Sequence, residues 1–177
     1  MAQVRLLGAI LAGGASRRFG RDKALASIDG RAMLDHVAAR LRCQCDALVV
    51  SGRDWPGLDR VDDVPVAGLG PLGGLAGVLL YAEGHRFDAV LTSGCDLPDL
   101  PTDLREKLGQ PNALVRGQPT IGLWDSGLAA KLAAYLETGT DRSIRAWALE
   151  TGARWVAVDR AIPNINTPDE LAAFRPS

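Results

Sequence analysis

From Val4 to Leu11 the chain is apolar at every position but Arg5. A strand buried on both faces of a parallel sheet shows this pattern, so a strand is predicted over Val4–Leu11. A loop rich in glycine and arginine follows, Ala12–Asp22. Leu34, Val37, Ala38 and Leu41 then recur at helical spacing and predict a first helix. Ala47–Val50 reads as a second short strand ending at Ser51-Gly52, and a further strand leads to Asp62-Asp63. After Gly68-Leu69-Gly70-Pro71, the residues Leu72, Leu75, Ala76, Leu79 and Leu80 predict a helix facing the core. Phe87–Thr92 is another apolar strand, stopped by the loop Ser93–Pro101.

The second half continues the alternation. A helix is predicted near Thr102–Leu108, strands near Ala113–Val115 and Thr120–Trp124, and a helix with Leu128, Leu132, Tyr135 and Leu136 on one face. A short helix carries Ile144, Trp147 and Ala148, and Trp155–Val158 reads as a strand. The close is Thr167-Pro168-Asp169-Glu170-Leu171, in which Thr167 can cap a helix, Pro168 suits its first position and Glu170 completes a capping box. Strands alternating with helices predict an α/β fold with an open, largely parallel sheet covered on both faces, in a single domain over residues 1–177. Ligands in such sheets sit at the carboxyl ends of the strands. The loops after Leu11, Val50, the Asp63 strand and Thr92 are therefore the places where a site is expected.

Composition narrows the class. A chain of 177 residues, 47% of them hydrophobic, can bury a core without staples. The net charge of -1 points to neither a polyanion nor a membrane surface as partner, so any phosphate site must come from a local basic cluster. The three cysteines, Cys43, Cys45 and Cys95, form no C-x-x-C pair, and with two histidines they suggest neither a zinc site nor a disulfide framework. A reducing cytoplasm suits them. The apolar N-terminus runs into glycines rather than a cleavage site, and reads as a buried first strand instead of a signal peptide. No apolar stretch reaches the roughly 20 residues of a membrane span.

Chemistry concentrates in Leu11-Ala-Gly-Gly-Ala-Ser-Arg-Arg-Phe-Gly-Arg-Asp-Lys23. Gly13 and Gly14 remove side chains where a ligand can touch backbone N–H groups. Arg17, Arg18, Arg21 and Lys23 place four cations within seven residues directly after a buried strand. At an effective dielectric of about 20, one opposite-charge contact at 4 Å is worth on the order of 4 kcal/mol, and several would grip a triphosphate. Neither the Walker pattern nor the dinucleotide fingerprint fits: Lys23 is followed by Ala24, and the paired glycines break G-x-G-x-x-G. A solvated basic loop is the plainer reading of the arginines; their place after a strand and Gly-Gly favours phosphate binding.

Asp96 follows the Phe87–Thr92 strand, where a carboxylate can hold a Mg²⁺ that carries substrate phosphates. An aspartate before Leu-Pro also opens turns, and the residue alone does not choose between the two. Asp99 is expected to serve the loop. Asn164 and Asn166 alternate on one side of an extended segment before a capped helix, where asparagine commonly organises turns. Cys95 lacks a neighbouring histidine and reads as buried rather than nucleophilic. His36 reads as packed rather than catalytic.

Taken together, Leu11-Ala-Gly-Gly-x-Ser-Arg-Arg-Phe-Gly-x-Asp-Lys23, Gly70-Pro-Leu-x-Gly74, Cys95-Asp96-x-Pro98 and Asn164-Ile-Asn-Thr-Pro168 resemble the molybdenum cofactor guanylyltransferase family, in family order along nearly the whole chain. The first motif is shared with sugar-nucleotide pyrophosphorylases and cytidylyltransferases, while the third and fourth together are more specific. The resemblance implies a three-layer α/β/α, Rossmann-like nucleotidyltransferase fold with a mostly parallel central sheet. It implies Mg²⁺-dependent transfer of GMP from GTP to molybdenum-bound molybdopterin, giving the guanine dinucleotide cofactor and pyrophosphate in the cytoplasm. By position, Leu11, Ala12, Gly13 and Gly14 would contact the nucleotide through backbone, and Lys23, Arg17 and Arg18 would bind phosphate. Ser51 and Asp63 would stand at the guanine and ribose end, Asp96 would hold Mg²⁺, and Asn164 and Asn166 would face the pterin or the metal. Ser51 stands where the family often has Asn, and Gln118 where it usually has His before Pro. Transient contact with molybdenum-insertion proteins or molybdoenzyme chaperones is implied, with neither nucleic acid nor membrane as partner. Two rivals remain beside it: a relative that transfers CMP to a pterin or a nucleotide to a sugar phosphate, and a nucleotide-binding regulatory protein without turnover.

Overall fold

The computed structural model describes residues 4–13, 22–139 and 141–175. Nine strands are present among them: β1 (Leu6–Leu11), β2 (Ser27–Ile28), β3 (Arg31–Ala32), β4 (Ala47–Ser51), β5 (Asp59–Val61), β6 (Ala89–Gly94), β7 (Ala113–Val115), β8 (Gln118–Asp125) and β9 (Arg154–Val156). Six α-helices join them: α1 (Met33–Arg42), α2 (Gly70–Gly84), α3 (Leu104–Leu108), α4 (Ala129–Thr138), α5 (Ile144–Glu150) and α6 (Pro168–Ala173). Single 3₁₀ turns precede β2 and α4, at Lys23–Leu25 and Ser126–Leu128.

The main sheet has the order β5-β4-β1-β6-β8-β7-β9. Every neighbouring pair is parallel except the two that involve β8. Strand β1 is buried at all six positions, because it is central and covered on both sides. Its side chains alternate between two cores. Leu7, Ala9 and Leu11 pack with α2, α4 and α5, whereas Leu6, Ile10 and Ala12 pack with α1 and α3. Both layers of the predicted three-layer fold are thus read directly from the alternation along one strand.

A third, smaller cluster sits beside this frame. The β2–β3 hairpin and the start of α1 bring Ala26, Ile28 and Met33 against Ile165, with Leu171 and Phe174 of the closing segment at its edge. Burial of Ile165, 1% exposed, fixes where the flanking asparagines lie. The predicted capping box is present. Thr167 Oγ1 accepts the Glu170 N–H, and Glu170 Oε2 accepts the N–H groups of Thr167 and Asn166. The Asn166 N–H holds the Glu170 carboxyl below its usual range.

Several boundaries differ from the hydrophobic pattern. Strand β1 starts at Leu6, since Val4 is half exposed. Strand β6 runs to Gly94, so its last residues belong to the site rather than to a loop. The third helix begins at Leu104 and the last strand ends at Val156. Leu80, expected to face the core, is 39% exposed, because α2 turns that position outward while Leu72, Leu75, Ala76 and Leu79 are fully buried.

Helix α2 approaches the ends of β4 and β5 closely, and glycines make that possible. A Cβ at Gly77 would stand 2.0 Å from the Asp62 carbonyl oxygen, and one at Gly74 would stand 2.5 Å from Ser51 Oγ. Alanine gains about 1 kcal/mol over glycine in a helix interior, but overpacking against backbone costs more. Gly77→Ala is expected to lower stability by about 2 kcal/mol net, or about 4–8 °C in Tm for a chain of this size. A thermal melt checks this, and an unchanged or raised Tm would mean that α2 can shift freely.

Candidate functional site

The chain turns from one half of the sheet to the other between β1 and β6: β1 is followed by β4 and β5 on one side, and α2 returns to β6 on the other. The crevice at such a switch point is where open α/β sheets bind ligands. Along the carboxyl edge stand, in sheet order, Asp63 beyond β5, Ser51 ending β4, Leu11 to Gly13 ending β1, and Asp96 beyond β6. Gln118 joins them as the first residue of β8, whose antiparallel direction puts its start at this edge.

The centre is a three-residue contact. Lys23 Nζ lies 3.2 Å from Asp96 Oδ2 and donates to Asn166 Oδ1 at 2.8 Å. The pair bridges residues 73 apart, and the asparagine is brought in from 143 residues away. Both charged side chains are mostly enclosed, 13% and 20% exposed. The closing segment is pinned here by its backbone as well, since the Ile165 N–H donates to the Asp96 carbonyl at 2.9 Å. Among the described residues the Asp96 carboxylate bonds only to Lys23 and makes no bond to a backbone amide. It is therefore not spent on closing a turn. A Cβ at residue 94 would stand 2.7 Å from Asp96 Oδ1, so Gly94 is what lets that carboxylate lie over the end of β6.

The donor set is of hard oxygens. Asp96 offers a carboxylate and Asn166 an amide oxygen beside it, and the described residues hold no group of three or more His, Cys, Asp or Glu that could form a cage. Mg²⁺ commonly takes one or two carboxylates together with phosphate oxygens and water, so these residues would fit it.

On the β4–β5 side, Ser51 Oγ donates to Asp63 Oδ1 at 3.3 Å, and Asp63 Oδ2 accepts the Gly68 N–H at 3.3 Å. Gly13 lies against both: a Cβ there would be 3.7 Å from Asp63 Oδ1 and from Gly52 Cα. Gly52 has φ +84°, and a Cβ on it would meet Gly13 Cα at 2.5 Å. The two glycines let β1 and β4 end in backbone contact, leaving a floor without side chains. Ser51, Asp63 and Gly13 are thus brought together, and Leu11 and Ala12 end the strand beside them. Gly14, Arg17, Arg18 and Arg21 lie outside the described residues.

Two residues at the site were not foreseen. Arg53, just after β4, forms a two-pronged ion pair with Asp22 at 2.7 and 2.6 Å. Asp22 also accepts the Ala24 N–H and so caps the 3₁₀ turn that carries Lys23. Arg53 holds the Asp22 carboxyl below its usual range. The pairing spans 31 residues, and no local pattern announces it.

Other expectations fall out plainly. Asp99 is buried between Arg40 and Arg160, at 2.9 and 2.5 Å, and serves its loop. Burial, followed by the neighbouring Asp96, pushes the Cys95 thiol up to about 11, so it stays protonated at neutral pH and is no nucleophile. A His36 ring N–H donates to the Ile28 carbonyl at 2.9 Å, a packing role. No helix among the described residues is long and apolar enough to cross a membrane.

The chain is similar to known proteins along most of its length. Residues 8–154 match the family described as MobA-like NTP transferase domain. A molybdenum cofactor guanylyltransferase of Cereibacter sphaeroides is 35% identical, over 96% of this chain and 95% of that protein. One of Rhodobacter capsulatus is 34% identical, over 96% and 94%. Among solved structures, molybdopterin-guanine dinucleotide biosynthesis protein A of Archaeoglobus fulgidus superposes with a TM-score of 0.70 at 20% identity, covering 94% of this chain and 95% of that one. A 4-diphosphocytidyl-2C-methyl-D-erythritol synthase superposes with 0.69 at 15% identity, over 98% and 97%, and with the first it speaks for the fold alone.

Proposed function

From the premise that this chain belongs to the MobA-like NTP transferase family and is a nucleotidyltransferase, we propose that it transfers GMP from GTP to molybdenum-bound molybdopterin and releases pyrophosphate. The observation that carries the reading is the meeting of Lys23, Asp96 and Asn166 at the switch point of the sheet, beside a glycine floor and the Ser51–Asp63 pair. The name shared by relatives at 34–35% identity supports guanine as the base and molybdopterin as the acceptor.

The reaction needs no covalent enzyme intermediate. A terminal phosphate oxygen of the acceptor attacks the α-phosphorus of GTP, and the bond from that phosphorus to the pyrophosphate oxygen breaks in line. The attacking oxygen is already anionic at neutral pH, so no general base is required. The chain's work is positioning and charge compensation. Gly13 and its neighbours admit the nucleotide to backbone N–H groups. Lys23, moving from Asp96 to the phosphates, stabilises the departing pyrophosphate. Ser51 and Asp63 receive the nucleoside end. Asp96 would hold Mg²⁺, which when bound supplies charge neutralisation at the phosphates.

Arg53 acts on this chemistry through Asp22. Arg53→Ala frees the capped turn under Lys23, and a misplacement on the order of 1 Å costs about ten- to hundredfold in kcat/KM for GTP. Steady-state kinetics test this; unchanged kcat/KM would leave Arg53 a surface partner. Because the Asp22 pKa is depressed in the folded chain, the clamp's contribution to stability is present above the ordinary carboxylate pKa near 4. It is lost as pH falls through the depressed value.

Pyrophosphate release, assayed with GTP, CTP, ATP and UTP in turn beside authentic acceptor, tests the reading. Release with GTP alone is expected. Release with CTP instead would make the chain a cytidylyltransferase, and tight GTP binding without release would make it a regulatory protein.

A further inference from the structure

The chemistry of the contacts fixes how both asparagines of the closing segment present their amides. Lys23 can only donate, so Asn166 must meet it with its oxygen. The Ile162 carbonyl can only accept, so the side-chain nitrogen of Gln118 faces it, at 2.7 Å. That same nitrogen lies 2.5 Å from Asn164, which therefore also presents its oxygen to it. The two asparagines consequently differ in role. The oxygen of Asn166 is turned to the cation side of the site, whereas the oxygen of Asn164 is taken up by β8. What Asn164 has left is its NH₂ group, which bonds to none of the described residues.

A group that can only donate is of no use to a metal ion and suits an anionic or carbonyl oxygen. The order along the sheet edge says whose oxygen. Ser51 and Asp63 lie on the β4–β5 side of Lys23 and Asp96, while Gln118 and Asn164 lie on the β8 side. A nucleotide with its base at the first end and its phosphates at the centre leaves the second end to the acceptor. We infer that Gln118 is a specificity-determining positioning residue: by donating to Asn164 Oδ1, it commits the Asn164 NH₂ to an oxygen of the acceptor substrate. The inference rests on the proposed GMP transfer and assigns the acceptor end of that same site.

Two substitutions test it, with Tm measured alongside kinetics. Asn164→Asp keeps the oxygen that Gln118 binds and replaces the donor by a second, anionic oxygen. The acceptor KM is expected to rise about ten- to hundredfold, the loss of one hydrogen bond to a charged group. The GTP KM and the Mg²⁺ concentration for half-maximal activity should stay within about twofold, a range that corresponds to under half a kcal/mol. Gln118→Met removes the donor at similar volume. It should raise the acceptor KM in the same sense, and should have no further effect in an Asn164→Ala background, since the glutamine acts through that asparagine.

An unchanged acceptor KM in active Asn164→Asp enzyme overturns the inference. So does a lowered Mg²⁺ requirement, which would make Asn164 a metal ligand, or a parallel rise of both KM values with a falling Tm, the mark of a purely structural contact. Should Gln118→Met fail to fold, Gln118→Glu, which reverses the polarity of the contact, is read in the same way. A wild-type chain that transfers no GMP to the acceptor removes the proposed function and this inference with it, whereas an active wild type with unaltered variants removes the inference alone.

Discussion

Lys23→Ala is expected to lower kcat/KM for GTP by about 10²–10³-fold, the usual loss when one preorganised stabiliser of developing charge is removed. The ammonium touches Asp96 and Asn166, and those two groups hold it at the switch point of the sheet. A small change in Tm is expected, because Asp96 remains 20% exposed and water can take the vacated place. Breaking a fully buried pair would instead cost about 3–5 kcal/mol. Kinetics and a melting curve on the same preparation separate these outcomes. Near-normal kcat/KM would remove Lys23 from the chemistry, and a large fall in Tm would make the ion pair structural.

Asp96→Asn carries the second large effect. It keeps shape and a hydrogen-bonding oxygen for Lys23 but removes the charge that a Mg²⁺ requires, and kcat is expected to fall about 10³-fold. A turn-forming aspartate would behave otherwise. Its loss would reach Tm first and leave kcat near normal, since asparagine replaces aspartate well in turns. The carboxylate lies over Gly94 and meets Lys23 instead of a backbone amide, which is why the rate is expected to carry the effect. Raising Mg²⁺ should restore part of the lost rate; a kcat indifferent to both residue and metal would end the assignment.

Strand β1, helix α2 and the capped helix α6 were legible because their signals are local. An unbroken apolar run means burial on two faces, and Thr167, Pro168 and Glu170 occupy three fixed places in one turn. The β2–β3 hairpin, two residues a side, is too short for any period to register. The reversed direction of β8 and the outward turn of Leu80 are set by packing partners rather than by neighbours in sequence.

The site divides along the same line. Lys23 and Asp96 stood out because charge follows a buried strand in each case, and the resemblance to a known family joined them to Asn166. Arg53 had no such signal. Its role comes from a contact 31 residues away, and the Gln118–Asn164 bond spans 46. The glycines of α2 carry no local signal of what they are for. Their purpose shows only beside Asp62 and Ser51, where a Cβ would collide.

The most direct measurement is a crystal structure of the chain with GTP and Mg²⁺, in which hydrogen-bond and metal–oxygen distances are read directly. The triphosphate should lie over Gly13 with Lys23 on its phosphates, the ion on Asp96 and the base toward Ser51. Nucleotide bound away from the β1–β6 crevice, or an ion that leaves Asp96 untouched, would contradict the account.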